Sequence, residues 1–369
     1  MFKKSLVAVA VLGAVAFSAQ AADVTMYGRL DTGLRYTNID TDLPNQDDVS
    51  TFEMSSGNYT GNRFGVKATE DLGNGVKVGF VLENGFNSDD GALKTDKKLF
   101  DREANLYVTG SFGTLSAGRL GILNGTAGSY AIGNFNPFGT GWGDVANQNA
   151  LWGAGFGSRY DNMLTYVTPD FAGVKVYAQY SFGDNGNENK SSTNRYGALG
   201  ATYTAGGLNV IGIVDTINKK SYDPATNTTA DVDDTVRVTI GGSYDFGMVK
   251  PYVAASYFKD GSISDVADVY KAAGVDLSGT VYDGFGVVVG ASAPAFGGTF
   301  HGTLGYMDAE DQTALELDGS RWMLGVGYEY SLSKRTTVYA DAGYYQDDID
   351  NSDIKPSVTQ AAIGLVHKF

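Results

Sequence analysis

Residues 24–36 read VTMYGRLDTGLRY, and the two alternating sets of side chains in this stretch differ in character. The apolar set is Met26, Leu30, Leu34 and Tyr36. The charged set is Arg29, Asp31 and Arg35. Successive side chains of a β-strand point to opposite faces, so this alternation predicts a strand with one apolar face and one charged face.

The same alternation recurs along the whole chain, in sixteen segments. They lie at approximately 24–37, 62–70, 75–86, 101–110, 113–120, 160–168, 173–182, 194–205, 207–218, 233–246, 248–260, 280–293, 297–308, 318–331, 335–347 and 357–369. Most are long enough to cross a bilayer at a tilt, whereas strands of a soluble sandwich usually have about five or six residues. Tight turns such as 71–74 alternate with eight long polar loops, of which 38–61 and 121–158 are two.

Short turns on one side and long loops on the other are typical of a transmembrane β-barrel. An open sheet edge would leave unpaired backbone groups in hydrocarbon, so the sheet must close on itself. Sixteen strands enclose a water-filled lumen rather than a packed core. We therefore predict an all-β fold, a 16-stranded antiparallel barrel over residues 22–369.

The composition removes several function classes. The chain has 369 residues, no Cys, two His and a formal net charge of −15. Nucleic-acid binding needs clustered Lys and Arg, so this acidic balance argues against it. The absence of Cys excludes disulfides, thiol catalysis and Cys-ligated zinc. Neither His has a plausible Ser partner in the sequence, so we expect no enzyme, no cofactor and no metal site.

The first segment is a targeting signal. Residues 1–21 read MFKKSLVAVAVLGAVAFSAQA, with Lys3 and Lys4 before an apolar run of about a dozen residues. Ala19-Gln20-Ala21 has the small-x-small pattern of a cleavage site. The apolar run is too short to span a bilayer, so we predict a cleaved secretory signal peptide and a mature chain beginning at Ala22.

Several runs of residues resemble a known family in their order and spacing. They are NRFGVKATEDLG at 62–73, FDREA at 100–104, GSFGTL at 110–115, YVTPDFAG at 166–173, YSLSKRT at 330–336 and the terminal Phe369. Together they resemble the general porins of Gram-negative outer membranes, most closely the betaproteobacterial type, along the whole mature chain. The resemblance implies a homotrimer of barrels, embedded among lipid and lipopolysaccharide, that conducts small hydrophilic solutes passively.

Two other functions remain as alternatives. One is a solute-specific channel for sugars or organic acids, and the other is a barrel with an adhesin-like role. A sugar channel would need a run of aromatic side chains down the bore, whereas Tyr177, Tyr339 and Tyr345 are scattered along the polar faces. We therefore favour the general diffusion channel.

The resemblance also implies a row of basic side chains on the lumen wall. By position these are Arg29, Arg63, Arg102 and Arg159, with Arg119 as a weaker fifth member. Strand alternation supports Arg29, Arg63 and Arg159, because each precedes an apolar residue expected to face lipid: Leu30, Phe64 and Tyr160.

Arg102 conflicts with this alternation. It shares its parity with Ala104, Leu106 and Val108, which have the character of lipid-facing residues. A β-bulge near Arg102 or Glu103 would bring the guanidinium inside. Without a bulge, Glu103 would be the lumenal group.

Opposite the basic row, the resemblance places the third loop inside the barrel. Residues 121–158 contain no Lys and no Arg, and Asp144 is their one acid. Asn136, Pro137, Phe138 and Gly139 stand where many general porins carry Pro-Glu-Phe-Gly, so Asp144 becomes the candidate acid of the constriction. Trp142 and Trp152 are expected to pack against the wall rather than to stack on sugars.

The remaining features concern assembly and charge. In this family a last strand ending in an aromatic residue, here Phe369, is the signal that the barrel-assembly machinery reads. The eight long loops contain 22 acids against eight Lys or Arg, so most of the negative charge is expected at the extracellular mouth. Residues 263–277 are predicted to contain a short helix, with Val266, Val269, Tyr270 and Ala273 on one side.

Overall fold

A computed structural model of the chain describes residues 23–138, 151, 156–183, 195–218, 222–223, 228–229, 233–263, 267–277 and 279–369. The predicted signal peptide at 1–21 lies outside these residues. So do Gly139, Trp142, Asp144 and Trp152 of the third loop.

The described chain is built almost entirely of antiparallel strands. They are β1 (Asp23–Asp40), β2 (Val49–Ser56), β3 (Arg63–Gly73), β4 (Val76–Gly85), β5 (Glu103–Gly110), β6 (Gly113–Gly121), β7 (Arg159–Val167), β8 (Val174–Ser181), β9 (Tyr196–Ala205), β10 (Leu208–Ile217), β11 (Tyr222–Asp223), β12 (Thr228–Thr229), β13 (Thr235–Tyr244), β14 (Lys250–Gly261), β15 (Tyr282–Ala295), β16 (Gly298–Asp311), β17 (Gly319–Ser331), β18 (Thr336–Ile349) and β19 (Ser357–Lys368). Strands β11 and β12 pair only with each other, and the other strands form one sheet. One helix, α1 (Ala267–Ala272), lies within the predicted helical segment 263–277 and confirms it.

The sheet closes because β1 pairs with strands on both sides. Its residues 29–40 pair with β19, the last strand, while its other edge pairs with β2 and β3. Each remaining strand of the sheet pairs with its neighbours in chain order. The predicted closed antiparallel barrel is therefore confirmed.

Strands β2 and β3 share one position in the barrel wall. Residues 32–39 of β1 pair with β2, and residues 23–29 pair with β3, so the two short strands lie end to end beside β1. Counted as one interrupted strand, they give the sixteen wall positions that the sequence predicted. The prediction of a loop over 38–61 is wrong, since β1 continues to Asp40 and β2 occupies 49–56. Within this region the chain lies outside the strands at 41–48, which connects β1 to β2, and at 57–62, between β2 and β3.

The distribution of polarity is the inverse of that in a water-soluble protein. Large apolar side chains are exposed on the outer face; Leu106, for example, is 58% exposed. Polar side chains of the opposite parity are buried, among them Asn105, Thr165, Gln179, Thr239 and Gln360. A barrel in lipid presents an apolar band outward and polar groups to its lumen, and the alternation in the sequence predicted both faces.

Apolar and aromatic residues also mark the short turns. Those exposed beside the turns include Leu72, Phe112, Phe171, Phe246, Phe296 and Leu332. The phenylalanines among them fit the girdles of aromatic residues that flank the apolar band of outer-membrane barrels. None of the helices in the described part of the chain is long and apolar enough to cross a membrane.

The seam between the first and last strands is completed by the terminal residue. Gly28 and Phe369 exchange two backbone hydrogen bonds, of 3.0 and 3.1 Å. The ring of Phe369 lies directly over Gly28, so a Cβ at this position would overlap the ring and come within 2.8 Å of the Arg63 carbonyl oxygen. The close approach of the ring therefore requires glycine here.

We predict that Gly28→Ala destabilises the folded barrel by about 1–3 kcal/mol, because overpacking displaces the terminal ring or strains the seam. The measurement is the temperature at which the folded, fast-migrating band on a detergent gel converts to the unfolded band. Gly212→Ala is the matched control, because a Cβ at Gly212 on β10 meets no atom within 4 Å. Equal transition temperatures for the two variants would contradict the role given to this contact.

Candidate functional site

The part of the inner wall from β1 to β7 brings the predicted basic residues together. Arg29 is on β1, Arg63 begins β3, Arg119 is on β6 and Arg159 begins β7. Arg102 directly precedes β5. Glu83 lies between them on β4. The sequence pattern did not identify Glu83 as a residue of the site.

Glu83 is the carboxylate around which two of these arginines are arranged. Arg102 donates from Nε to Glu83 Oε1 at 2.6 Å, and an Arg63 guanidinium nitrogen lies 4.0 Å from the same oxygen. Tyr27 donates from its hydroxyl to Glu83 Oε2 at 2.9 Å. These side chains are largely buried, so the ion pair and hydrogen bonds hold the guanidinium groups in fixed positions.

Asp161 on β7 organises the next pair of cations. It accepts from Arg119 at 2.6 Å and from Lys98 at 2.8 Å. Arg119 also donates from Nε to the carbonyl oxygen of Asp101 at 2.6 Å. Lys98 lies in the loop between β4 and β5. Strand alternation predicts side-chain directions only within strands, so it could not predict this contact.

The other two arginines form no salt bridge with a carboxylate in the described part of the chain. Arg29 donates to the hydroxyl of Thr60 at 3.4 Å, and Arg159 donates to the hydroxyl of Ser158 at 3.2 Å. The charge of Arg159 lies close enough to interact with those of Arg102, Glu83 and Glu103.

The group as a whole is electropositive. Five arginines and Lys98 give six positive charges, whereas Glu83, Glu103 and Asp161 give three negative charges, so the described members sum to +3. We call this set the basic cluster.

The irregularity expected near Arg102 lies directly before β5, where the Arg102 amide donates to the Glu83 carbonyl oxygen at 3.2 Å although Glu83 pairs with Glu103. The pairing of β4 with β5 runs without a shift from Glu83 opposite Glu103 to Lys77 opposite Thr109. Arg102 faces inward because it precedes the strand, where the alternation of side chains does not apply. Glu103 also faces inward, so the basic group and the acidic group that were treated as alternatives are both present.

The expectation that Tyr160 faces lipid is wrong. The pairing of β6 with β7 shifts between Gly118 and Leu120, and Asn162 on β7 has a left-handed φ of 50°. A β-bulge reverses the facing of the residues beyond it. Tyr160 consequently turns inward and stacks on the ring of Tyr196, with ring centroids 4.9 Å apart.

Residues 122–138, the longest described part of the third loop, run along the inner wall. Near its start, Asn124 donates to the hydroxyl of Thr239 on β13 at 2.7 Å. Further on, a Cβ at Gly290 on β15 would come within 2.7 Å of Pro137 Cδ. At the end, the ring of Phe138 lies 5.8 Å from that of His301 on β16, and Asn136 accepts a 2.7 Å hydrogen bond from the Phe138 amide.

Glu103 joins this loop to the wall that carries the basic cluster. Its two carboxylate oxygens accept from the backbone amide and the hydroxyl of Ser129, both at 2.5 Å. A cavity of about 560 Å³ lies beside this contact. Its lining includes Arg63, Lys67, Glu83, Glu103 and Ser129, so charged groups of both signs face it.

A closed barrel with an apolar exterior, a charged interior and a segment folded along its inner wall defines a transmembrane channel. A family model for Gram-negative porins matches residues 8–350. An outer membrane porin protein of Bordetella pertussis is 35% identical, with 100% of both chains covered. Outer membrane porin protein 32 of Delftia acidovorans is 29% identical, covering 94% of this chain and 90% of that protein. The chain belongs to the Gram-negative porin family.

Solved structures share the fold at lower identity. An anion-selective porin from Comamonas acidovorans superposes with a TM-score of 0.64 at 24% identity, covering 95% of this chain and 100% of that one. The outer membrane channel DcaP of Acinetobacter baumannii gives 0.65 at 14% identity, with 95% and 98% covered. The protein is thus an outer-membrane channel for passive diffusion and not an enzyme.

We predict that Glu103→Ala loosens the third loop, because it removes the acceptor of two hydrogen bonds to Ser129. Hydrogen bonds to charged groups contribute about 1.5–3 kcal/mol each. Single-channel recording should show increased fluctuation of the open current. Glu103→Gln keeps an acceptor oxygen, so its open current should fluctuate less than that of Glu103→Ala. Glu310→Ala, at the exposed end of β16, should behave as the parent protein, and an equally noisy control would contradict the assignment.

Proposed function

We propose that the basic cluster forms the narrow part of the bore and favours anions there, against an acidic outer mouth. The observation that carries this proposal is the excess of cations: three carboxylates balance only half of the six positive charges. Arg29 and Arg159 carry most of the excess, because neither is paired with a described carboxylate. Gly139 and Asp144 remain predicted members of the opposite side of the constriction, with Asn136, Pro137 and Phe138.

Two fields of opposite sign then act on a permeating ion. The seven predicted long loops other than 38–61 carry 17 acids and eight basic residues, and they attract cations to the mouth. Charges farther from the ion than the Debye length, about 8 Å at physiological ionic strength, are largely screened. The cluster acts within that distance in a narrow bore, whereas many loop acids do not.

The proposal favours a general channel over a solute-specific one. Tyr339 and Tyr345 are buried, and Tyr177 is partly buried against the apolar cluster inside the barrel, so these three residues form no exposed aromatic track for a sugar ring. Uptake into liposomes should therefore fall with solute size and show no saturation. Saturable uptake of one solute with exclusion of others would favour the specific channel.

We further propose the assembly that the family resemblance implies. Residues 1–21 are removed as a signal peptide, and the C-terminal strand ending in Phe369 is read by the barrel-assembly machinery. The mature chain forms a homotrimer among lipid and lipopolysaccharide. Support for the trimer comes from a Vibrio cholerae OmpT of similar fold whose structure is a trimer form. A heat-labile, detergent-resistant trimer on gels is the expected observation.

We predict that the selectivity of the parent channel changes with ionic strength. It should favour cations weakly in dilute salt, where the mouth is unscreened, and become neutral or favour anions as salt rises. Reversal potentials across a fixed salt ratio, recorded at several absolute concentrations, measure this change. Asp144→Asn should move every value toward anion preference. A preference independent of ionic strength would contradict the two-field account.

We predict that Arg63→Gln and Arg159→Gln each increase cation preference and enlarge conductance, because each removes a charge and shortens a side chain in the bore. Reversal potential and single-channel conductance in one salt gradient are the measurements. Arg335→Gln is the matched control, since Arg335 is exposed in the turn between β17 and β18. If neither cluster variant shifts the reversal potential, these arginines do not line the constriction.

A further inference from the structure

Residues 57–62, the break between β2 and β3, lie inside the barrel and carry no assigned role. We call them the inner segment. Its centre is held by Asp31 of β1, a carboxylate with no exposed surface. Asp31 Oδ2 accepts from the backbone amides of Tyr59 at 2.7 Å and Thr60 at 2.8 Å, and Oδ1 accepts from the hydroxyl of Tyr339 at 2.9 Å.

The break in the wall leaves no backbone group of Asp31 without a partner. The amide of Asp31 donates to Asn62 Oδ1 at 2.5 Å. Its carbonyl oxygen accepts from the Gly57 amide at 3.1 Å and from the Ser88 hydroxyl at 2.9 Å. Gly57 has a left-handed φ of 75°, which turns the chain inward. The chain therefore leaves the sheet at 57–62 in a defined, hydrogen-bonded conformation, and the strand end is not frayed.

One side of the inner segment reaches the far wall and the third loop. Tyr59 donates to Glu329 on β17 at 2.6 Å, and its ring lies 5.4 Å from that of Tyr339 on β18. Asn58 donates to Asp341 on β18 at 3.0 Å. Tyr59 also packs against a small apolar cluster that includes Phe138 of the third loop. The two inner elements therefore meet.

The other side of the inner segment contacts the basic cluster. Thr60 Oγ1 accepts from Arg63 at 2.8 Å and from Arg29 at 3.4 Å. The carbonyl oxygen of Gly61 accepts from Arg63 Nε at 3.0 Å. A Cβ at Gly61 would lie 3.1 Å from an Arg102 guanidinium nitrogen. Three of the five arginines thus lie against this segment.

We propose that the inner segment is a second selectivity element of the bore, which positions Arg29, Arg63 and Arg102 toward the permeating ion. Asp31 is the positioning residue that keeps the segment inside. This inference rests on the proposed role of the basic cluster. It adds that the selectivity of the arginines depends on a short segment held by a carboxylate on the neighbouring strand.

The first test compares Asp31→Ala with Asp31→Asn by reversal potential in a salt gradient. Both variants remove one negative charge, which by itself shifts selectivity toward anions. Asn keeps an acceptor for the Tyr59 and Thr60 amides, and its own amide can donate to the Tyr339 oxygen. We expect Asp31→Asn to remain near the parent or shift toward anions, and Asp31→Ala to shift toward cations because the arginines lose their positions. Shifts of equal sign and size would overturn the proposal.

The second test leaves the hydrogen bonds of the Asp31 carboxylate intact. The parent chain has no Cys, so Gly61→Cys introduces a single thiol. Gly61 does not have a left-handed φ, so the change does not strain the backbone. The folded channel is labelled with thiosulfonate reagents of similar size, one anionic and one cationic. We expect both to reduce conductance and to shift the reversal potential in opposite directions.

Ser111→Cys is the matched control, because Ser111 is exposed in the turn between β5 and β6. Its labelling should leave conductance and selectivity unchanged. Labelling of Gly61→Cys with no change in conductance would overturn the proposal, as would failure of that thiol to react. If neither Arg63→Gln nor Arg159→Gln changes the reversal potential, the proposed function fails. If Arg63→Gln shifts it but the Asp31 and Gly61 variants do not, only the role of the inner segment fails.

Discussion

The pairing of backbone groups in hydrocarbon is the constraint on which this molecule depends. Lipid offers no hydrogen bonds, so an N–H or C=O inside the bilayer must find its partner within the protein. The sheet meets this demand by closing β1 on β19, with Gly28 and Phe369 exchanging the final two bonds. Where the wall breaks between β2 and β3, Asn62 and Ser88 supply the bonds that strand neighbours would have made to Asp31. An inward excursion is therefore compatible with a membrane wall when side chains replace the missing strand.

Closure also determines where charge can lie. Because the apolar face is turned to lipid, the polar parity of every strand is directed inward. On one side of the lumen two arginines form salt bridges: Arg237 with Asp215 at 2.6 Å, and Arg321 with Asp347 at 2.5 Å. That side is also packed with apolar side chains from the third loop and α1, such as Leu123 and Tyr270. The basic cluster lies on the opposite side, from β1 to β7.

Local departures from strand regularity position the groups on that wall. Arg102 reaches Glu83 because it precedes β5, and the bulge at Asn162 turns Tyr160 onto Tyr196. Alternation predicted the facing of Arg29 and Arg63 correctly, because both lie in regular strands followed by lipid-facing Leu30 and Phe64. It failed for Arg102 and Tyr160, because side-chain parity carries no information about where a strand starts or where an extra residue is inserted. Irregular backbone is thus concentrated where the candidate site lies.

The sequence by itself determined most of the strands, their number around the barrel and the apolar and polar faces. Each of these follows from a local rule, since strand alternation repeats every two residues and strand length is set by bilayer thickness. The arginines of the basic cluster were predicted from the resemblance to general porins. Only the tertiary structure decided that Glu83 and Asp161 hold the cations, that Glu103 anchors Ser129, and that residues 57–62 enter the lumen. These contacts join residues that are up to 308 positions apart, as Asp31 and Tyr339 are, and closure of the barrel brings them together. No periodicity within one strand encodes such a distance, because the partner is selected by the register of the whole sheet.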